Sequence, residues 1–245
     1  MSPATPIPTP LTPSPAGLPL TWAGESLYLL PQRALWWPAE QTLFVADVHL
    51  GKAEHFRKLG VPVPAGPTAS TLDRLEALIE VQGAQRVVIL GDLLHARTAQ
   101  AAPTLDVLRQ WRAARSALDL VLVRGNHDTH AGDPPADVRI QSVDAPHALG
   151  PFALCHEPVE DGALSASSAF RLAGHIHPAV RLKGPGGDRV RLPCFAVSPD
   201  QMVLPAFGDF TGAATMAPHE TLACYAIAGD SIFRVPAPAR SRRRA

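Results

Sequence analysis

Five short motifs hold the residues that could do chemistry: Asp47-Val48-His49, Gly91-Asp92, Gly125-Asn126-His127-Asp128, His156 with Glu157-Pro158, and Gly174-His175-Ile176-His177. Imidazole, carboxylate and amide oxygen together are the mixed ligand set that borderline divalent cations such as Mn²⁺, Fe²⁺ and Zn²⁺ accept. In an extended Asp-Xaa-His or His-Xaa-His segment the outer side chains share a face. Asp47 and His49, and likewise His175 and His177, are therefore expected to enter one pocket while Val48 and Ile176 turn away. Taken singly, each residue has an ordinary explanation as a helix cap or a turn residue. The ordered set, nearly all of it directly after predicted strands, points instead to a metal centre.

Such residues need a scaffold that brings them together. Thr42 to Ala46, Arg86 to Leu90 and Leu118 to Val123 read as apolar strands running straight into the first three motifs, and Ser26 to Leu30 as an earlier strand. The stretch between Leu30 and Thr42, with Trp36, Trp37 and Pro38, reads as a loop. Helices are predicted over Ser70 to Val81, with Ser70 and Asp73 as a capping box and Gly83 as the stop, and over Leu105 to Ser116. Buried strands alternating with helices imply parallel pairing, and functional groups then gather beyond the carboxyl ends of the strands. From Pro151 the pattern becomes short strands joined by turns, with a hairpin at Gly184-Pro185-Gly186-Gly187-Asp188. The expected class is α/β, a layered α/β/β/α sandwich of two packed mixed sheets flanked by helices. One domain over 21–236 is expected, between a disordered Pro-rich tail (1–20) and a basic tail (237–245).

Composition narrows the options. Lys plus Arg and Asp plus Glu both number 22, so no global field draws in nucleic acid, although a cluster at Arg240 to Arg244 could meet a polyanion. No apolar run approaches the roughly 18 residues of a membrane span, and no secretory signal is legible. Three cysteines without CxxC spacing argue against disulfides or a zinc knuckle and fit a reducing cytoplasm.

With these motifs in order, the sequence resembles the calcineurin-like metallophosphoesterase superfamily. The resemblance implies that Asp47, His49 and His177 hold one metal ion, that Asn126, His156 and His175 hold a second, and that Asp92 bridges them. His127 would sit beside the ions, with Asp128 orienting its ring. Two metals about 3.5–4 Å apart neutralise a phosphodiester and ready a hydroxide to attack phosphorus. His127 is then the expected general acid for the leaving alkoxide. Further segments, among them Trp37-Pro38, Leu50-Gly51-Lys52, Phe56-Arg57, Pro193-Cys194-Phe195 and Leu204 to Gly212, resemble the ligase-associated metallophosphoesterases of the PdeM type. That implies a DNA phosphodiesterase or endonuclease in damage repair, two divalent ions with Mn²⁺ foremost (Fe²⁺, Zn²⁺ or Mg²⁺ as alternatives), and DNA ligase and helicase partners.

Evidence for a DNA substrate in the residues themselves is thinner. Lys52, Arg57, Arg97 and Arg124 flank the motifs and could hold phosphates, or could be solvated charges. His95 and His130 could touch substrate or be loop histidines. Trp36 and Trp37 could stack on bases, though core packing is the commoner role. Leu204 to Gly212 is expected to pack its backbone under the metal site, with a substrate-facing wall as the alternative, and Cys155 to point into the core. A small phosphoester substrate is the alternative activity, with a scaffold that has lost its chemistry as the alternative class. The short stretch from His127 to His156 leaves no room for a large cap and favours an open cleft.

Overall fold

The computed structural model describes residues 17–58, 60–62, 67–159, 169–183, 187–209 and 211–237. Seven strands form the first sheet in chain order: β1 (Leu18–Trp22), β2 (Glu25–Leu30), β3 (Ala34–Trp37), β4 (Thr42–Val45), β5 (Arg86–Leu90), β6 (Asp119–Val123) and β7 (Gln141–Val143). Pairing is antiparallel from β1 to β4 and parallel from β4 to β7. The second sheet contains β8 (His147–Leu149), β9 (Phe152–Leu154), β10 (Phe170–Ala173), β11 (Pro178–Lys183), β12 (Arg189–Val197), β13 (Gln201–Val203), β14 (Ala214–Met216), β15 (Ala223–Ala228) and β16 (Ser231–Val235). It runs β14-β11-β12-β13-β10-β9-β8, with β15 and β16 joined through β12.

The continuous apolar strands are explained by burial on both faces. Leu43, Val45, Val87, Ile89, Leu120 and Leu122 point toward Leu72, Leu75, Leu78 and Ile79 of helix α2 (Pro67–Gln82) and Leu108 of α3 (Ala102–Ala114). Their neighbours Phe44, Val88, Leu90, Val121 and Val123 point the other way, onto Phe152, Leu154, Leu172, Phe195 and Met202 of the second sheet. This is the expected sandwich. The outer face of the second sheet carries a smaller apolar cluster of Val180, Cys194, Cys224, Ala226 and Val235. Two shorter helices, α1 (Lys52–Lys58) and α4 (Asn126–Ala131), follow β4 and β6. No helix among the described residues is long and apolar enough to cross a membrane.

Several expectations change. The segment bearing the tryptophans is not a loop: β3 pairs with both β2 and β4, and alternation sends Trp36 and Trp37 into opposite cores. Trp37 meets the Phe152 ring edge-on at 5.0 Å and donates to Glu25 Oε2 at 2.9 Å, so neither tryptophan is free to stack on a base. The capping box at Ser70 is overturned, because α2 begins at Pro67, which places Ser70 inside the helix. Leu18 to Leu20 of the supposed tail belong to β1, an edge strand where Pro19 costs no ladder bond to an outer neighbour. The rest of that tail (1–16), Phe210, the Gly184-Pro185-Gly186 part of the hairpin turn and the 238–245 end lie outside the described residues.

Candidate metal centre

Three strands of the first sheet and two of the second deliver the motifs. β4, β5 and β6 lead to Asp47, Asp92 and Asn126, while β9 and β10 lead to His156 and His175. The loops are laced together by backbone bonds from Asp47 N–H to Gly91 O at 3.1 Å and His49 N–H to Asp92 O at 2.8 Å. His175 N–H donates to Asp47 Oδ2 at 2.9 Å, which ties the two sheets at the site itself. Of the Leu204 to Gly212 segment, Leu204 to Gly208 is buried beneath, while Asp209 and Thr211 are half-buried and Gly212 is exposed: Phe207 N–H bonds Ala46 O at 2.7 Å and Gly208 N–H bonds Asp47 O at 3.0 Å.

The expected extended Asp-Xaa-His and His-Xaa-His segments are corrected. Asp47, His49, Asp92, His175 and His177 all have left-handed backbones, with φ from 49° to 70°. Tight turns at the strand ends, rather than strand alternation, aim these side chains. Nine non-glycine residues among those described have positive φ, and five of them are candidate ligands, so backbone strain is concentrated at this site.

The glycines that open the motifs make room. A Cβ on Gly91 would lie 2.1 Å from His156 Nδ1, and one on Gly125 would lie 2.3 Å from Asp92 Oδ1. Gly125 has φ −97°, which alanine adopts without strain, so Gly125→Ala isolates the clash. It is expected to weaken metal affinity about 10- to 100-fold, as displacement of a ligand's support does. Metal titration alongside an unchanged circular dichroism spectrum checks this; undiminished affinity would mean the Asp92 carboxylate is not held by that fit.

The ligand atoms converge. His156 Nδ1 donates to Leu90 O at 3.0 Å, leaving Nε2 as a lone pair that lies 2.9 Å from Asn126 Oδ1, 3.0 Å from His175 Nδ1 and 3.4 Å from Asp92 Oδ1. His177 Nδ1 donates to Gly212 O at 2.9 Å, and its Nε2 faces Asp47 Oδ1 at 3.3 Å and His49 Nε2 at 3.5 Å. Asp47 Oδ1 and His49 Nδ1 are buried without hydrogen-bond partners. Buried acceptors aimed at one another are costly alone and suit a cation between them. Asp47, His49 and His177, and Asp47, Asp92 and His156, are each close enough for one ion. The group His49, His95 and His127 is a third such set.

Burial and neighbouring charges move these groups in both directions. Burial, reinforced by Lys52 and neighbouring imidazoles, holds His49 down at about 2, and burial with Lys52, His127 and His55 holds His95 at about 4. Both rings are neutral at pH 7 in the fold but protonate below about 6.5 in the unfolded chain, which then binds more protons. His177 is shifted upward, because although burial opposes protonation, Asp47 and Gly212 O favour it more. Burial also raises Asp92 and Asp128, which work in the same opposing sense once they begin to protonate. Chelated protein is therefore expected to lose stability as pH falls from 6.5 toward 5.5, two lowered histidines outweighing one raised. Urea midpoints at the two pH values test the sign.

His127 lies beside Asp92, without its expected partner. Its Nδ1 donates to His95 O at 2.6 Å, its ring stacks on His95 at 5.0 Å, and Nε2 lies 3.9 Å from Asp92 Oδ2 with 39% of the side chain exposed. Asp128 does not touch the ring. Its buried carboxylate accepts backbone N–H groups of Asp92 (2.7 Å), Gly125 (3.0 Å) and Leu94 (3.2 Å). Adjacent residues at the start of α4 project about 100° apart, so Asp128 faces the helix cap while His127 faces the cleft.

The flanking cations separate. Arg124 is bound by Asp133 and Asp144, each at 2.7 Å, which removes it as a free phosphate ligand. Exposed Arg57 pairs with Glu54 at 3.0 Å, and Arg97 reaches His130 O at 3.3 Å. Lys52 is partly desolvated near Asp47 and Asp92. His130 donates from Nδ1 to Asn126 O at 2.6 Å, the ordinary helical reach. His95 is no plain loop histidine: it lies among His49, His55, Phe56 and His127. His55, on α1, was missed because that helix has no clear apolar period. Cys155 is buried as expected, with Arg171 against its Sγ at 2.6 Å.

A two-sheet sandwich with buried carboxylates and imidazoles at its strand ends is the architecture of a metal-dependent phosphoesterase. Residues 41–178 match the calcineurin-like phosphoesterase family, and the chain belongs to it. Among solved structures, Pseudomonas putida nuclease MPE is 42% identical, with 89% of this chain and 100% of that chain covered and a TM-score of 0.78. Yfce, a phosphoesterase from E. coli, is 19% identical over 79% of this chain and 97% of that chain, with a TM-score of 0.40. No curated protein matches the sequence.

Proposed function

We propose that the chain is a dinuclear-metal phosphodiesterase that cuts DNA. In this reading Asp47, His49 and His177 hold one divalent ion, Asn126, His156 and His175 hold the other, Asp92 is shared, and His127 protonates the leaving oxygen. The observation that carries it is the convergence of carboxylate, amide and imidazole groups from both sheets, with Asp92 within 3.9 Å of His49 Nε2 on one side and 3.4 Å of His156 Nε2 on the other. A DNA substrate is supported by the 42% identity to a protein that is a nuclease, and by the stretch from α4 to β9, which adds only β7, β8 and a short 3-10 turn and no cap domain.

Bound metals would supply Lewis acidity at phosphorus and a nucleophile at neutral pH. The chain's own residues do the rest. His156 and His177 are fixed in one tautomer by Leu90 O and Gly212 O, so their Nε2 lone pairs face inward. His127, fixed at Nδ1 by His95 O, presents Nε2 to the cleft, where its imidazolium can give a proton to a departing alkoxide. Mn²⁺ is the proposed metal, since the site mixes imidazole with carboxylate and amide oxygen. Three buried free cysteines support a reducing, cytoplasmic setting. A role in damage repair beside DNA ligase and helicase partners is supported by the motif resemblance.

A metal-rescue series after chelation tests the reading on labelled single- and double-stranded DNA of defined ends, with bis-nitrophenyl phosphate alongside. Rescue by Mn²⁺ on DNA is expected. Rescue on the small ester with every DNA left intact would refute the DNA assignment and keep the phosphoesterase.

A further inference from the structure

Beside His177 lies a cleft of about 230 Å³, walled by Arg33, Arg191, Asp209 and Thr211. This is smaller than the roughly 300–1,000 Å³ of a pocket that encloses a whole small molecule, and suits one backbone phosphate with part of its sugar. Arg33 comes from the turn between β2 and β3 and reaches across to Gly208 O at 3.4 Å and Asp209 Oδ1 at 3.4 Å. Its backbone has φ 66°, a conformation arginine rarely takes, and that turn is what aims the side chain at the cleft. Asp209 is shared: Arg74 holds its other oxygen at 3.5 Å and also caps Phe207, with its guanidinium 4.5 Å from that ring's centroid. One carboxylate thus serves two guanidiniums, and Arg33 keeps uncompensated charge. Arg191, on β12, lines the same cleft, anchored by Ala213 O.

Resting on the DNA reading above, we infer that Arg33 and Arg191 form a subsite for the phosphate next to the scissile one, so that the enzyme selects a polynucleotide over an isolated phosphodiester. Guanidinium forks suit phosphate oxygens, and Asp209 serves to hold Arg33 in place. Together these residues supply sequence-independent grip on the backbone.

The test uses the full-length Mn²⁺-loaded protein with Arg33→Ala, Arg191→Ala and Arg33→Lys. Substrates are bis-nitrophenyl phosphate, a short single-stranded oligonucleotide, and the same oligonucleotide with each phosphate in turn replaced by an uncharged methylphosphonate. Each alanine variant is expected to lower the ratio of kcat/KM on the oligonucleotide to that on the small diester about 10-fold, the scale of one charged hydrogen bond. Arg33→Lys should recover part of it. The salt dependence on the oligonucleotide should become shallower by about 0.7 per arginine lost. In the wild type one methylphosphonate position should reproduce the loss, and in the variants that position should cost nothing more. A ratio and salt slope unmoved by the substitutions, with the oligonucleotide still cut, would overturn the subsite alone. A wild type that cleaves the small diester but no oligonucleotide would overturn the DNA reading and the subsite together.

Discussion

Asp92→Asn is expected to empty the site and reduce turnover more than about 100-fold, since even residues supporting a metal ligand cost 10- to 100-fold in affinity. Asp92 is buried, with Oδ1 accepting His127 N–H at 3.0 Å and facing His156, and Oδ2 facing His49 and His127. An asparagine would put N–H where an acceptor is required and remove the charge that offsets two cations. The same exchange should act oppositely on the metal-free protein. Burial raises the Asp92 pKa, which means the folded chain holds that carboxylate unwillingly at neutral pH, and a neutral amide relieves the cost. Chelated Asp92→Asn is thus expected to unfold at the same or higher urea than chelated wild type, while the order reverses with Mn²⁺. Metal analysis, turnover on bis-nitrophenyl phosphate and the paired melts give the answer; a variant that keeps both metals would end the shared-ligand assignment.

His127→Ala should behave differently, keeping its metals and losing about 10²- to 10⁴-fold in turnover on DNA, the usual worth of a general acid. A nitrophenolate leaves without a proton, so bis-nitrophenyl phosphate should lose far less. Equal losses on the two substrates would remove the acid role. Asp128→Ala makes the contrast sharper. Because Asp128 binds the N–H groups of Asp92, Leu94 and Gly125 rather than the His127 ring, its loss should lower metal content as an Asp92 variant does. Metal retention with a His127-like leaving-group dependence would restore the ring-orienting role that the geometry replaces.

Strain and burial at this site follow one pattern. Left-handed turns at five candidate ligands, desolvated histidines and unpartnered acceptors all cost stability in the metal-free chain. The two apolar cores on either face of β4, β5 and β6 support that cost, and a bound cation would remove most of it.

Much of the scaffold was legible because it is local. Arg86–Leu90 is a strand with the limits its apolar run implies, and the motifs at strand ends follow from residue type and neighbouring glycines. β3 was not legible, since two tryptophans before a proline carry no alternation until cores on both sides receive them. Neither was the backbone that aims the ligands: Asp47 and His49 share a pocket while Val48 enters the core, as expected, but positive-φ turns at five ligands replace the alternation of an extended chain. What the sequence determined by itself is a supply of metal-binding side chains after apolar strands. Which ring nitrogens and carboxylates face one another and which arginine reaches the cleft are decided by contacts 19 to 176 residues apart. Such contacts exist only when the two sheets close, and no local pattern records them.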